Sequence, residues 1–236
     1  MKFAGRKLTI ASVSLALLST LSPGPSAQEP PQDRVAALKQ WLGQSKAQLK
    51  QYQWIQTTVI SLKGEQKSSK EEQCYYGADG TVQKVPLTAP PEEKDKRGLR
   101  GRIVENKKEE ISDSMKAAVA LVKTYVPPSA EKIQACKDAG NMSMTPLPGG
   151  TSVQLAFKNY EKPGDTLSVT MDTTTNRLLG IAVNSYLKDP KDAVTLNVTI
   201  DSLPDGTGYA SQIVLDDKAE ELGVNITNSG YRKAGN

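Results

Sequence analysis

From Thr151 to Tyr231 the chain alternates apolar and polar residues in six short runs, at 153–157, 167–171, 179–183, 194–200, 213–215 and 222–226. Successive side chains of a strand point to opposite faces, so this period of two predicts strands with one apolar and one polar face. Turn residues stand between the runs, among them Lys162-Pro163-Gly164-Asp165, Asp189-Pro190-Lys191-Asp192 and Leu203-Pro204-Asp205-Gly206. Such spacing predicts an antiparallel meander that is wet on one side only.

Upstream, the period changes twice. Asp33 offers an N-cap to a helix over 33–51, with Val35, Leu38, Trp41, Leu42 and Leu49 on one side. Trp54, Thr58, Ile60 and Leu62 then share one face of a strand, with Ile55, Thr57 and Val59 on the other. Lys63-Gly64-Glu65 turns the chain into strands over 71–76 and 81–87, joined at Gly77-Ala78-Asp79-Gly80. A second helix is expected over 109–126, with Met115, Ala118, Val119, Leu121 and Val122 as its apolar side and Pro127-Pro128 as its stop. A shorter third helix carries Ile133 and Cys136 and ends at Gly140. The stretch 141–150, with Met142, Met144 and Leu147, reads as a loop.

Charge changes the picture at two places. Lys2, Arg6 and Lys7 precede an apolar run from Leu8 to Leu21 and then small residues up to Ala27. That is the layout of a secretory signal peptide, and the run is too short for a comfortable span. The expected organisation is therefore a signal peptide at 1–27, a flexible tail at 28–32 and one domain over 33–236. The formal charge of +4 would fall to about +1 on cleavage. The mature chain is expected to be soluble, periplasmic and not membrane-spanning. The second place is 88–108, a mobile charged loop whose Lys94, Lys96, Arg97, Arg100 and Arg102 are candidates for surface contact with a partner.

The candidate chemistry is mostly subtractive. There is no histidine, which removes Ser-His-Asp and Cys-His nucleophiles and HExxH zinc sites. No CxxC, GxGxxG or phosphate-loop motif occurs, so no metal, cofactor or enzyme activity is expected. Aromatics make up 5% of the chain, too few to support a nucleic-acid stacking platform. Asp216-Asp217 and Glu220-Glu221 fall in polar turns and read as facing water. Cys74 and Cys136 form an even pair in an exported protein, which favours a disulfide. It would close a loop of about 60 residues and add ~4 kcal/mol. The other reading is two buried thiols that never meet.

The order of elements resembles the periplasmic lipoprotein-carrier (LolA-type) superfamily, including related lipid-carrier lipoproteins and sigma-factor-regulator N-terminal domains. Three passages carry the likeness. One is the helix running into Gln51-Tyr52-Gln53-Trp54-Ile55-Gln56-Thr57-Thr58-Val59, and another is Tyr75-Tyr76-Gly77-Ala78-Asp79-Gly80-Thr81-Val82. The third is Pro163-Gly164-Asp165-Thr166-Leu167-Ser168-Val169-Thr170-Met171-Asp172 followed by Asn176-Arg177-Leu178. The resemblance implies an α+β fold, with a strongly curved, unclosed antiparallel sheet covered by two or three amphipathic helices.

It also implies a non-enzymatic carrier of a lipid or lipoprotein acyl chain held between sheet and helices. Candidate lining residues are Trp41, Trp54, Ile60, Leu62, Met115, Leu121, Leu155, Phe157, Val169 and Ile181. The alternative is an envelope protein–protein interaction module with a solid core, which would use the charged loop or a sheet edge.

Overall fold

The computed structural model describes residues 40–41, 43–87 and 113–234. The signal peptide, the tail and the charged loop with Lys94, Lys96, Arg97, Arg100 and Arg102 lie outside the described residues. In chain order the elements are α1 (40–41 and 43–49), β1 (Tyr52–Leu62), β2 (Glu65–Tyr76), β3 (Val82–Pro86), α2 (113–122) and α3 (Ala130–Asp138). Seven strands follow: β4 (Met142–Pro146), β5 (Ser152–Lys158), β6 (Thr166–Asp172), β7 (Leu178–Tyr186), β8 (Ala193–Ser202), β9 (Gly208–Asp217) and β10 (Leu222–Lys233).

All ten strands form one antiparallel sheet in the order β3-β2-β1-β10-β9-β8-β7-β6-β5-β4. The sheet is curved and does not close, and with its helices it makes the expected α+β fold. The last strand of the meander returns to the first strand of the chain, from Tyr52↔Lys233 to Leu62↔Leu222. Four registers shift along strands, at 53/55, 60/61, 170/171 and 199/200. Each extra residue bends and twists its strand locally, so these irregularities favour a curved sheet.

The helices are tied to the sheet by buried polar bonds as well as apolar packing. Trp41 of α1 lies over Gly208, where an added Cβ would stand 2.1 Å from the indole ring. Ser45 Oγ accepts from the Gly208 amide at 3.1 Å, and Thr207 Oγ1 donates to Gln48 Oε1 at 2.9 Å. Helix α2 buries Ala118 and Val122, and its Ser114 hydroxyl donates to Asp217 at 2.6 Å. Just past α2, Tyr125 is fully buried. Its hydroxyl donates to Asp165 and lies 2.8 Å from Ser185 Oγ. Burial first, and then the bond to Asp165, push the Tyr125 phenol well above its usual range. Asp165 also accepts the backbone N–H groups of Tyr160, Glu161 and Lys162. Helix α3 is capped by Ser129 and buries Ile133 and Cys136.

Three expectations are corrected here. Residues 142–146, read as a loop, form edge strand β4, because Met142 and Met144 pair with Phe157 and Leu155 and bring their side chains to the core. Asp217, read as water-facing, is 2% exposed because Ser114 and the Ala219 amide satisfy its carboxylate. Cys74 and Cys136 are free, buried thiols. Cys74 sits on β2, while Cys136 hangs from α3 with its sulfur on the carbonyl of Lys158 at the end of β5. Six strands separate β2 from β5 in the sheet, so the chain's layout keeps the two sulfurs apart.

Two outcomes follow from this packing. Gly208→Val should unseat Trp41 and destabilise the protein by about 1–3 kcal/mol in urea unfolding, the usual cost of overpacking; an unchanged midpoint would show that α1 is not docked there. Thiol titration should find no fast-reacting cysteine in the native protein and two after denaturation, since burial pushes both thiols up and hides them.

Candidate functional site

Residues directly opposite on neighbouring strands share a face, so the register defines rows that cross the whole sheet. One row runs Met144, Leu155, Val169, Ile181, Val198, Ile213, Ile226, Thr58 and Lys70. The next runs Met142, Phe157, Leu167, Val183, Leu196, Leu215, Val224, Ile60 and Ser68. Both are apolar from β4 to β10; the first turns polar at Thr58 on β1, and the second keeps Ile60 on β1 and turns polar at Ser68 on β2.

Burial falls along the same direction. Leu155, Phe157 and Val169 are each 1% exposed, under α2 and α3, and Val224 is 9% exposed. Ile213, Ile226 and Ile60 are half-buried at the margin of the core, and Lys70 and Ser68 are exposed. Side chains from α2 and α3 thus fill the β4–β8 half of this inner face, while the β9–β10–β1 part is less fully covered.

A polar network lies beside that margin. Trp54 Nε1 and Gln56 Nε2 both donate to Asn228 Oδ1, at 3.1 and 3.0 Å, and Asn228 Nδ2 donates to the Ala210 carbonyl. Glu72 stands opposite Gln56 in register, is 5% exposed, and is ion-paired to Lys70 and Lys84. Lys84 also donates to Gln56 Oε1. Burying a carboxylate without such partners would be costly.

Next to this network is an aromatic cluster. Trp54 stacks on Tyr231 with ring centres 5.5 Å apart and an interplanar angle of 10°. Tyr76 lies 5.6 Å from Trp54, and Tyr209 lies 4.3 Å from Tyr231. Burial pushes the phenols of Tyr231, Tyr76 and Tyr209 upward. The bulge at Gly230, with φ +62°, lies opposite Trp54 in the β1–β10 register. Only glycine takes that backbone angle without strain.

The residues singled out from the sequence therefore have different surroundings. Leu155, Phe157, Val169 and Ile181 are in the packed core. Met115 and Leu121 pack on it from α2, and Trp41 from α1. Ile60 lies at its half-covered margin, and Trp54 in the aromatic cluster. Leu62 is half-buried at the far end of β1, opposite Leu222. Glu72, Gln56, Asn228 and Lys84 were missed. The one signal for them was that Glu72, Cys74 and Tyr76 alternate along β2 with the period of a half-buried strand.

Among the described residues no group of His, Cys, Asp or Glu could hold a metal ion, and no helix is long and apolar enough to cross a membrane. No protein-family model matches the chain, and no curated protein matches it.

Solved structures do resemble it. One is a DUF1329 family protein from Desulfovibrio piger, at 11% identity and TM-score 0.39, covering 85% of this chain and 93% of that one. Another is a putative outer membrane lipoprotein-sorting protein domain from Vibrio parahaemolyticus, at 10% identity and TM-score 0.38, covering 86% and 90%. A third is a LolA superfamily protein from Nitrosomonas europaea, at 7% identity and TM-score 0.36, covering 84% and 94%. At these identities and scores, the reading of function rests on the chain's own residues.

At the rim of the site Tyr52 Oη donates to Asp205 at 2.6 Å, and the Thr207 amide donates to the same carboxylate at 3.0 Å. The Tyr52 hydroxyl, and after it Thr207, lower Asp205 to about 2. A carboxyl lowered on folding contributes stability above its unfolded value near 4, and that contribution is lost as pH falls through its folded value. Asp205→Asn should therefore flatten the loss of thermal stability between about pH 4 and about pH 2. An acid limb identical in both proteins would contradict the Tyr52–Asp205 contact.

Proposed function

We propose that the protein is an exported, non-enzymatic carrier that holds one apolar chain against the inner face of its sheet, with the polar end of the ligand at β1 and β2. The supporting observation is the pair of unbroken cross-strand rows. They are dry and filled at β5 and β6, half-covered at Ile213, Ile226 and Ile60, and polar at Thr58, Lys70 and Ser68. An amphiphile laid across β9, β10 and β1 would meet the chemistry it needs in the right order. Each methylene moved from water to that surface gains about 0.8 kcal/mol.

Trp41, Trp54, Met115 and Leu121 border this part of the face in the same reading, with α1 as its cover and α2 packed alongside. The basic start and short apolar run at 1–27 support export to the periplasm. The absence of histidine from the sequence supports binding over catalysis.

Ile60→Glu and Ile226→Glu put a charge on the half-covered rows, where side chains have room to reach water. Both should keep a cooperative thermal transition and lose saturable uptake of a fluorescent fatty acid by at least about tenfold, the cost of ~1.4 kcal/mol or more. Val59→Glu, on the opposite face of β1, should bind like the parent. Full uptake in the two folded inner-face variants would sink the proposal.

A further inference from the structure

The other, outer face of the β10–β1–β2–β3 end carries two cavities side by side. One, of about 180 Å³, is walled by Ile55, Leu87, Gln73 and Arg232 among others. The second, of about 280 Å³, is walled on this face by Gln53, Gln73, Tyr75 and Lys50, with Tyr52 and Tyr76 of the inner-face aromatic group and Ala234 completing its lining. Gln53 and Gln73 line both, and Gln73 Nε2 donates to Gln53 Oε1 at 2.5 Å between them. That bond leaves the Gln53 amide hydrogens and the Gln73 carbonyl to pair elsewhere.

Register orders the surroundings. Val85, Gln73, Ile55 and Ser229 form one outer row, and Gln83, Tyr75, Gln53 and Arg232 form the next. Adjacent rows on one face are about 6.6–7 Å apart, which is also the distance between side chains i and i+2 of an extended peptide. The rim is apolar and open, with Tyr75, Leu87 and Val85 39%, 47% and 48% exposed.

The charge is lopsided. Arg232 and Lys50 stand at the cavities, and among the described residues neither has a carboxylate partner. Glu71 is the next outer position on β2, on the side of Gln73 away from Tyr75.

We propose that this groove docks an extended segment of a partner protein, with two apolar side chains at i and i+2 followed by carboxylates. The apolar pair enters the two cavities, the glutamine amides meet the segment's backbone, and the carboxylates lie toward Arg232 and Lys50, away from Glu71. The groove lies on the face opposite the proposed ligand rows, so cargo and partner can be held together.

The test uses a fluorescein-labelled octapeptide with leucine at two alternate positions followed by two glutamates, titrated by anisotropy at physiological salt. A peptide with lysines in place of the glutamates and vesicles of phosphatidylglycerol run beside it. The acidic peptide should bind saturably. The lysine peptide and the doubly reversed protein, Arg232→Glu with Lys50→Glu, should each be weaker by about tenfold or more. Both substituted residues are exposed, so the variant should melt like the parent and take up the fatty acid normally.

Equal binding of the acidic and basic peptides, no saturable binding of either, or undiminished binding by the doubly reversed protein would each overturn the proposal. So would charge-dependent sedimentation with the vesicles in the absence of peptide binding, which would make this a membrane-facing surface. Saturable peptide binding by the parent protein with no fatty-acid uptake by it would instead count against the carrier reading alone.

Discussion

The pairing of β1 with β10 is the constraint on which the rest depends. It joins the N-terminal hairpins to the C-terminal meander, and it carries the apolar rows from the packed half of the sheet into the half that is less fully covered. A strand has a period of two, so a slip of one residue here would send Ile60 and Trp54 to the outer face and Val59 and Ile55 inward. The bulge at Gly230 lets Trp54 lie on Tyr231 while the register continues on both sides. The buried bonds from Asn228 to Trp54 and Gln56 oppose such a slip, because breaking register would strand several buried polar groups at once.

The two halves of the inner face differ because different elements cover them. Tyr125, Asp165 and Ser185 form a buried polar clamp that fixes the end of α2 over β6 and β7. Next to it, side chains from α2 and α3 fill the face. On the other half, α1 is held at its edge by Trp41 over Gly208 and by Ser45 and Gln48. A helix held through one rim of the sheet is well placed to act as a cover, whereas a helix whose whole side is packed is part of the core. Strands β1 and β2 carry the polar end of the inner rows on one face and the paired cavities on the other. The end of the sheet with the least apolar filling is therefore also the end with the most exposed chemistry.

Much of this was legible from residue patterns. The period-two runs mark β5, β6 and β8 within two residues and fall inside β7, β9 and β10, which extend past them, because each lies between turn residues and has one wet face. Strand β4 was not legible: Met-Ser-Met-Thr-Pro is short and proline-ended, and it becomes a strand only because β5 offers it an edge. Asp217 looks like any acid in a turn, and only the approach of Ser114 from a distant helix makes its burial tolerable. The two cysteines have the right number for a bridge, but pairing is decided by distance, and distance depends on sheet order. The polar network of Glu72, Gln56 and Asn228 was hidden for a related reason. Asn228 comes from the far end of the chain, and polar residues on an inward face carry no local mark of the partners that satisfy them.

The central claim is that the half-covered rows hold an apolar ligand, and native mass spectrometry of the protein purified from its native cells tests it most directly. The account predicts a stoichiometric mass excess over the bare polypeptide. That excess should vanish on denaturation and appear in the organic extract as a lipid with at least one acyl chain. A bare polypeptide mass, unchanged after incubation with fatty acid or phospholipid, would contradict it and show the inner face to be a closed core.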